Sequence, residues 1–408
     1  MRWIITVAIL IAIEVYAFQA FKTLFKFWWS LWIYLGITVL VMGLLVYSFY
    51  QPSPYGSLTG FRAYMIGIFL STVALKLSVI AWMFGEDIIR LLIFTYRKLF
   101  TSSVENLPSR RKFISTIAIG IGAIPFLSLL YGMFQGKYNF KVLSYELEFD
   151  NLPEAFDGYQ ITQLSDIHSG SFDNYEKIEY AIDLVNEQNS DVILFTGDLV
   201  NNLADEMTNW KSTFSKIKSK DGVYSILGNH DYGDYHQFEN ESEKKENFEN
   251  IIKVHSEMGW DLLRNERREL KRGEDKLHLI GVENWGKGGF KKAGDFDKAA
   301  ADVDPKDFKI LMTHDPSHWD EVIASHQKDV QLTLSGHTHG MQFGIEIPGW
   351  FKWSPVQYRY TQWAGLYKNK KRYINVNRGF GYLAYPGRVG IWPEITVIKL
   401  KRKTASEA

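Results

Sequence analysis

Five short polar clusters hold the residues of this chain that could do chemistry: Ser165-Asp166-Ile167-His168, Thr196-Gly197-Asp198, Gly228-Asn229-His230-Asp231, Thr313-His314-Asp315 and Ser335-Gly336-His337-Thr338-His339. Their side chains offer carboxylate, amide and imidazole donors. The 408 residues include no cysteine, which excludes thiol catalysis, disulfide frameworks, zinc fingers and iron–sulfur clusters. Oxygen and imidazole donors without sulfur suit borderline divalent ions such as Mn²⁺, Fe²⁺ or Zn²⁺. There are too many donors for one ion. Two ions about 3.5–4 Å apart that share a carboxylate would use the whole set, the arrangement of two-metal phosphate ester hydrolysis. Gly197, Gly228 and Gly336 stand immediately before candidate ligands and permit the tight turns that aim those side chains inward.

Such clusters need a scaffold, and each follows an apolar or β-branched run: 159–164, 191–195, 223–227, 308–312 and 330–334. From Tyr138 onward these runs alternate with helical stretches, which predicts an α/β domain. Ligands of α/β sheets bind beyond the carboxyl ends of strands, so five such ends can converge on one site.

The region in front is a different body. Of 46 Lys+Arg and 46 Asp+Glu, residues 1–134 hold 11 and 4, a balance of +7, which leaves 35 and 42, a balance of −7. The overall neutrality argues against a nucleic-acid partner. Four apolar stretches, 3–20, 28–50, 63–84 and 113–134, are each near the ~20 residues that span a bilayer and predict four transmembrane helices. Residues 88–100, with Arg90, Arg97 and Lys98 among large apolar side chains, read as a separate interfacial helix. Lys22 and Lys26 in the first loop, and six basic residues from Arg90 to Lys112 in the third, predict that those loops are cytoplasmic. The remainder after Phe134 is then extracytoplasmic. Ser109-Arg110-Arg111-Lys112-Phe113-Ile114 resembles a twin-arginine export motif, with ordinary positive-inside flanking charge as the alternative. Glu14 and Lys76 lie within spans and are expected to pair.

The ordered clusters together resemble the motif set of the calcineurin-like metallophosphoesterases over about residues 138–400. The closing segment Ile374–Gly381, with Arg388 and Pro393–Leu400, is similar to a bacterial membrane-associated branch of that superfamily. That branch includes phosphodiesterases and enzymes acting on UDP-2,3-diacylglucosamine. The resemblance implies a transmembrane helical bundle (1–134) followed by a four-layer α/β/β/α metallophosphoesterase domain (135–408). It implies that Asp166, His168 and His339 hold one divalent ion, and that Asn229, His314 and His337 hold a second. Asp198 would bridge them, manganese being the first choice of metal. His230 would be the catalytic imidazole, oriented by Asp231. The second motif continues as Leu199-Val200-Asn201-Asn202 where protein phosphatases have an Asp-Arg-Gly, which argues against a phosphoprotein substrate. Asn201 also stands where purple acid phosphatases place a ligand Tyr, and Met341-Gln342 stands where relatives often have glycine.

The function expected is hydrolysis of a phosphodiester or pyrophosphate at a bacterial inner membrane, with membrane lipids as partners and a substrate that can be lipid-linked. The alternatives are a phosphodiesterase for soluble nucleotides and a metal-binding membrane sensor without turnover. An extracytoplasmic site disfavours cytoplasmic UDP-bearing lipid precursors. Arg378 and Arg388 are candidates to contact substrate phosphate, or else form salt bridges. His318, one helical turn past His314, is a weaker ligand candidate. His236, His255, His278 and His326 are expected to be solvated, as is the charged run 241–249. The aromatic stretch 343–363 reads as a loop with Trp350-Phe351-Lys352-Trp353 at its tip, either core or a lipid-facing element in which Lys352 reaches lipid phosphate.

Overall fold

A computed structural model describes all residues except Met1, 54–57, 101–110, 348 and 404–408; the Ser109-Arg110 half of the twin-arginine motif and Pro348 therefore lie outside the described residues. The chain divides into two compact units, Met1–Pro52 with Phe61–Phe134, and Ser53–Gly60 with Gln135–Ala408.

The first unit contains α1 (Arg2–Leu24), α2 (Ser30–Tyr50), α3 (Gly60–Phe100) and α4 (Arg111–Phe134), each long and apolar enough to cross a bilayer. Their outward faces carry exposed Ile, Leu, Val and Phe, as a bilayer-spanning helix does. The expected pair forms: Lys76 Nζ lies 2.5 Å from Glu14 Oε1, while Tyr34 and Thr38 donate to Glu14 Oε2 at 2.8 and 3.3 Å. α4 approaches α3 closely at Gly122, where a Cβ would sit 3.0 Å from the Leu75 carbonyl oxygen. One expectation fails. Residues 88–100 are no separate interfacial helix but the continuation of α3, which runs unbroken for 41 residues. At 1.5 Å per residue that is about 60 Å, twice a hydrocarbon core. Gly85-Glu86-Asp87 contains no proline to stop the helix, and the Glu86–Arg90 ion pair (2.5 Å, one turn apart) bridges the segment.

The second unit is a sandwich of two six-stranded sheets. Its strands are β1 (Lys141–Phe149), β2 (Gln160–Leu164), β3 (Val192–Phe195), β4 (Val223–Ser225), β5 (Asp261–Leu262), β6 (Glu266–Arg272), β7 (Asp275–Gly281), β8 (Lys309–Met312), β9 (Leu332–Ser335), β10 (Ile345–Ile347), β11 (Phe351–Trp353), β12 (Gly365–Asn369), β13 (Arg372–Val376) and β14 (Glu394–Arg402). One sheet has the order β1-β14-β2-β3-β4-β5, the other β12-β13-β9-β8-β7-β6, and β10 and β11 form a separate hairpin. The site-bearing strands β2, β3 and β4 are mutually parallel, as are β8 and β9, so their carboxyl ends point the same way within each sheet.

Strict alternation builds the layers. In β3, Val192 and Leu194 pack between the sheets with Leu279, Ile310 and Leu334, whereas Ile193 and Phe195 face outward to α5 (Tyr175–Glu187), α6 (Lys211–Phe214) and α7 (Glu241–Glu257). In β8, Ile310 and Met312 face the inner core, while Leu311 faces α8 (Phe296–Ala299) and the turn Trp319–Ile323. Burial on both faces explains why these strands are apolar almost throughout. The result is the four-layer α/β/β/α arrangement.

Candidate metal centre

The loops after β2, β3, β4, β8 and β9 meet. Two groups of donors form, each with its ligand atoms within 4.8 Å of one another: Asp166, His168 and His339, and Asp198, His314 and His337. In the first, His339 Nε2 lies 3.0 Å from His168 Nε2 and 3.1 Å from Asp166 Oδ1. In the second, His314 Nε2 lies 3.0 Å from Asp198 Oδ2, and Asn229 Oδ1 joins through His337 Nδ1 at 2.8 Å. Asp198 Oδ2 is also 3.6 Å from His168 Nε2, so this one oxygen stands between the two groups.

The backbone pays for this convergence. Asp166, His168, Asp198, His337 and His339 all adopt positive φ, between 50° and 72°, a region that costs a non-glycine residue on the order of 1–3 kcal/mol. Such strain persists only where the surroundings over-determine it, as at a ligand cluster. Gly336 acts by absence of a side chain, whereas Gly197, at φ 94°, is required by turn shape as well as by space. A Cβ on Gly336 would sit 1.8 Å from Ser165 Oγ and 2.3 Å from Asp166 Oδ2, and one on Gly197 2.5 Å from the Gly228 nitrogen.

The electrostatics fit divalent cations. Asp166 and Asp198 are buried at 0% and 1% exposure, and among the described residues no lysine or arginine pairs with either. Burial alone would favour their neutral forms, yet the His339 and His314 rings hold Asp166, and the His314 and His230 rings hold Asp198, well below the usual carboxylate range. Against its own desolvation, His314 is raised to about 10 by Asp198, a proton standing in the position of a cation. Burial lowers His337 to about 4 and His168 well below its ordinary value, so both rings are neutral and free to ligate. Two carboxylates, an amide oxygen and four imidazoles around two points form a set that two borderline divalent ions satisfy.

His230 sits beside this centre, its backbone N–H donating to Asp198 Oδ1 at 2.8 Å and its ring 4.9 Å from that of His168. Asp231 departs from the role expected of it. It does not face the His230 imidazole; its two oxygens accept the backbone N–H groups of Gly228, Asp198, Leu199 and Val200 at 2.8–3.3 Å. The short turn at residues 230–232 points the two neighbours in different directions. Burial and the Asp198 charge push Asp231 up to about 7 against the pull of these donors. His230 is oriented instead by the Asn201 carbonyl, 2.8 Å from its Nδ1. A carbonyl only accepts, so Nδ1 carries the proton and Nε2 is the working nitrogen.

Other candidates fall outside the cluster. Arg378 is buried and forks onto Glu346 (3.0 and 2.5 Å) with a third bond to Glu394 (2.5 Å), leaving no donor pair for phosphate. Arg388 is wholly buried, spent on the carbonyls of Gly379 and Gly381 and on His339 Nδ1 at 3.2 Å. His318 bonds Thr313 Oγ1 and stacks on Trp285, and burial lowers it to about 4. His255 and His278 are buried rather than solvated, against Ser225 Oγ (2.9 Å) and Asp307 (2.8 Å) respectively. The run 241–249 is exposed along α7 as expected, except at the half-buried Lys244, Asn247 and Phe248. Lys352 gives its protons to the Ala364 carbonyl and the Tyr367 hydroxyl, so it does not reach lipid phosphate.

Three neighbours of the centre were given no role from sequence. Tyr360 OH and Asp315 Oδ2 approach His337 Nε2 at 2.8 and 3.3 Å, and Tyr235 accepts from Asn229 Nδ2 at 3.0 Å and packs on the His230 ring. Asp315 had a signal in its place beside His314 and Tyr360 one in the aromatic stretch 343–363, whereas Tyr235 had none.

Residues 1–137 match the family profile described as a probable calcineurin-like phosphoesterase transmembrane domain, and residues 159–341 that of calcineurin-like phosphoesterases. The chain is 30% identical over 254 residues to the Bacillus subtilis metallophosphoesterase YkuE, covering 61% of this chain and 82% of the relative. It is 26% identical over 384 residues to the Campylobacter jejuni metallophosphoesterase Cj0846, covering 93% and 92%. A Danio rerio transmembrane protein with a metallophosphoesterase domain is 28% identical over 281 residues; these cover 67% of this chain and 60% of that protein's length.

Proposed function

The chain belongs to the calcineurin-like metallophosphoesterases, metal-dependent hydrolases of phosphoric esters, and we propose that it cleaves a phosphodiester or pyrophosphate bond of a lipid or cell-envelope substrate at the extracytoplasmic face of a bacterial inner membrane. The observation that carries the hydrolytic reading is the position of Asp198 Oδ2 between two donor groups, with His230 held on the other oxygen of the same carboxylate.

Asp166, His168 and His339 would hold one divalent ion, Asn229, His314 and His337 the other, and Asp198 both; manganese is among the divalent ions that such a mixed oxygen and imidazole set accepts. Ions so bound supply Lewis acidity to the phosphoryl group and lower the pKa of water towards neutrality. The remaining work is done by side chains. With Nδ1 fixed on Asn201, His230 Nε2 holds or passes the proton that the leaving oxygen needs. Asp231 acts one step removed, gathering the backbone of the second and third clusters so that Asp198 and Asn229 meet. Tyr360 and Asp315 secure the far side of His337, as outer partners of metal-ligating histidines do.

Four membrane-spanning helices favour a substrate at or in the bilayer over a soluble nucleotide. The full chain in detergent with Mn²⁺ is expected to hydrolyse bis-p-nitrophenyl phosphate and, faster per unit of enzyme, a phosphodiester or pyrophosphate carried on a lipid in mixed micelles. Turnover of the chromogenic diester with a preference for soluble nucleotides would remove the lipid assignment. Absence of turnover with every divalent ion would remove the enzymatic one.

A further inference from the structure

The β10–β11 hairpin is built inside out. Its register pairs Ile345 with Trp353, Glu346 with Lys352, and Ile347 with Phe351. Side chains of a strand alternate between faces, so the two charged residues share one face and the four apolar residues the other. In a hairpin packed on a water-soluble domain the apolar face turns inward. Here the charged face does. Glu346 is clamped by the buried Arg378, and Lys352 by the Ala364 carbonyl and the Tyr367 hydroxyl. Ile345, Ile347 and Phe351 are left 54%, 44% and 47% exposed, and Trp350 at the turn 81%. The Glu346–Arg378 fork and the Lys352 hydrogen bonds fix the inward face, so the apolar face cannot rotate inward without breaking a buried fork.

A contiguous exposed apolar face of this kind marks a contact surface. We propose that it docks on the lipid bilayer, inserting Trp350 and its neighbours into the headgroup layer. Three observations favour lipid over a protein partner. The catalytic unit begins at Gln135, the residue after α4 ends, so a bilayer is always within reach. The tip residue is Trp, the side chain favoured at membrane interfaces, as at the exposed Trp28 and Trp32 around the start of α2. The cation of the hairpin faces inward, so the outward face has no charge for a partner to recognise. Docking is therefore apolar, insensitive to salt and to headgroup charge. Because β10 starts six residues after His339, the contact brings the rim of the metal centre to the lipid surface. The inference does not depend on which phosphoester bond is cleaved.

The absence of cysteine gives a direct test. Trp350→Cys and Ile347→Cys, each labelled with the fluorophore NBD, are compared with Lys245→Cys on the exposed charged face of α7, in full-length chains incorporated one copy per phosphatidylcholine nanodisc. The melting temperature of each labelled chain should match that of the parent. Both hairpin labels are expected to emit at shorter wavelength, to be quenched by lipids bearing nitroxide near the headgroup, and to resist aqueous iodide. The Lys245→Cys label should behave in the opposite way. The hairpin pattern should persist at high salt. Iodide-accessible hairpin labels that ignore nitroxide lipid would overturn the proposal. So would shielding that appears only when several copies share one liposome, which would assign the face to a second copy of the chain.

Discussion

Asp231→Asn separates a positioning role from a catalytic one. The carboxylate is fully buried and accepts four backbone N–H groups, two per oxygen: Gly228 and Asp198 on Oδ2, Leu199 and Val200 on Oδ1. An amide in the same place keeps one acceptor and presents an NH₂ to the other pair, so either orientation leaves two buried donors unpaired. At about 1–3 kcal/mol for each such group the loss is roughly 2–6 kcal/mol. With about 2–4 °C per kcal/mol for a large domain, the central value of about 4 kcal/mol lowers the melting temperature by roughly 8–16 °C. The same N–H groups hold the backbone of Asp198 and Asn229, so metal content should fall as well. Tryptophan fluorescence melting of the full chain in detergent, with elemental analysis of the purified protein, reads both quantities. An Asp231→Asn protein with parental melting temperature and metal content, defective only in turnover, would refute this reasoning and restore Asp231 as the partner of the His230 ring.

Three further outcomes follow from the same geometry. Arg378→Ala leaves Glu394 buried beside an unpaired Glu346 and should cost about 3–5 kcal/mol of stability, whereas a phosphate-binding arginine would change KM with little effect on melting. Burial lowers His255 to about 3 in the folded chain against 6.5 unfolded, so the unfolded state binds the extra proton between these values. Stability from this group is therefore complete above pH 6.5 and is lost as pH falls towards 3. His255→Phe should flatten the acid limb by up to about 5 kcal/mol in chemical denaturation, and an unchanged limb would refute the assignment. Alkaline phosphatase fused after Lys141 should be active if the catalytic unit is extracytoplasmic; an inactive fusion there with an active one after Lys26, in the first loop, would place the unit in the cytoplasm.

Much of the site was legible because its chemistry is carried by residue type at the ends of apolar runs. Asp166, Asp198, Asn229, His314 and His337 each follow a strand that local pattern identifies, and hydropathy alone locates the four spans. What escaped depends on side-chain direction or on distant partners. Asp231 adjoins His230 in sequence, but the turn sends its carboxylate to the backbone of the preceding cluster, 31 to 33 residues away. Arg378 resembles an available phosphate ligand until Glu346 and Glu394 are brought to it by the hairpin and β14. The continuity of α3 is equally hidden, since a charged Glu86-Asp87 step suggests a boundary that helix geometry does not require. The hairpin's reversed faces follow from those same long-range ion pairs. Its aromatic composition showed where to look, and Lys352, which reaches lipid phosphate in one of the two readings of that stretch, proved to be the residue facing in.

The central claim is that one carboxylate holds two metal ions while His230 holds none. Its most direct test is inductively coupled plasma mass spectrometry of the full chain loaded with Mn²⁺ and desalted, with chromogenic diester turnover measured on the same samples. The parent chain should retain two ions, Asp198→Asn should lose both ions and turnover together, and His230→Ala should retain two ions while turnover falls by ~10²–10⁴-fold. Two retained ions in Asp198→Asn, or loss of metal in His230→Ala, would contradict the bridging assignment.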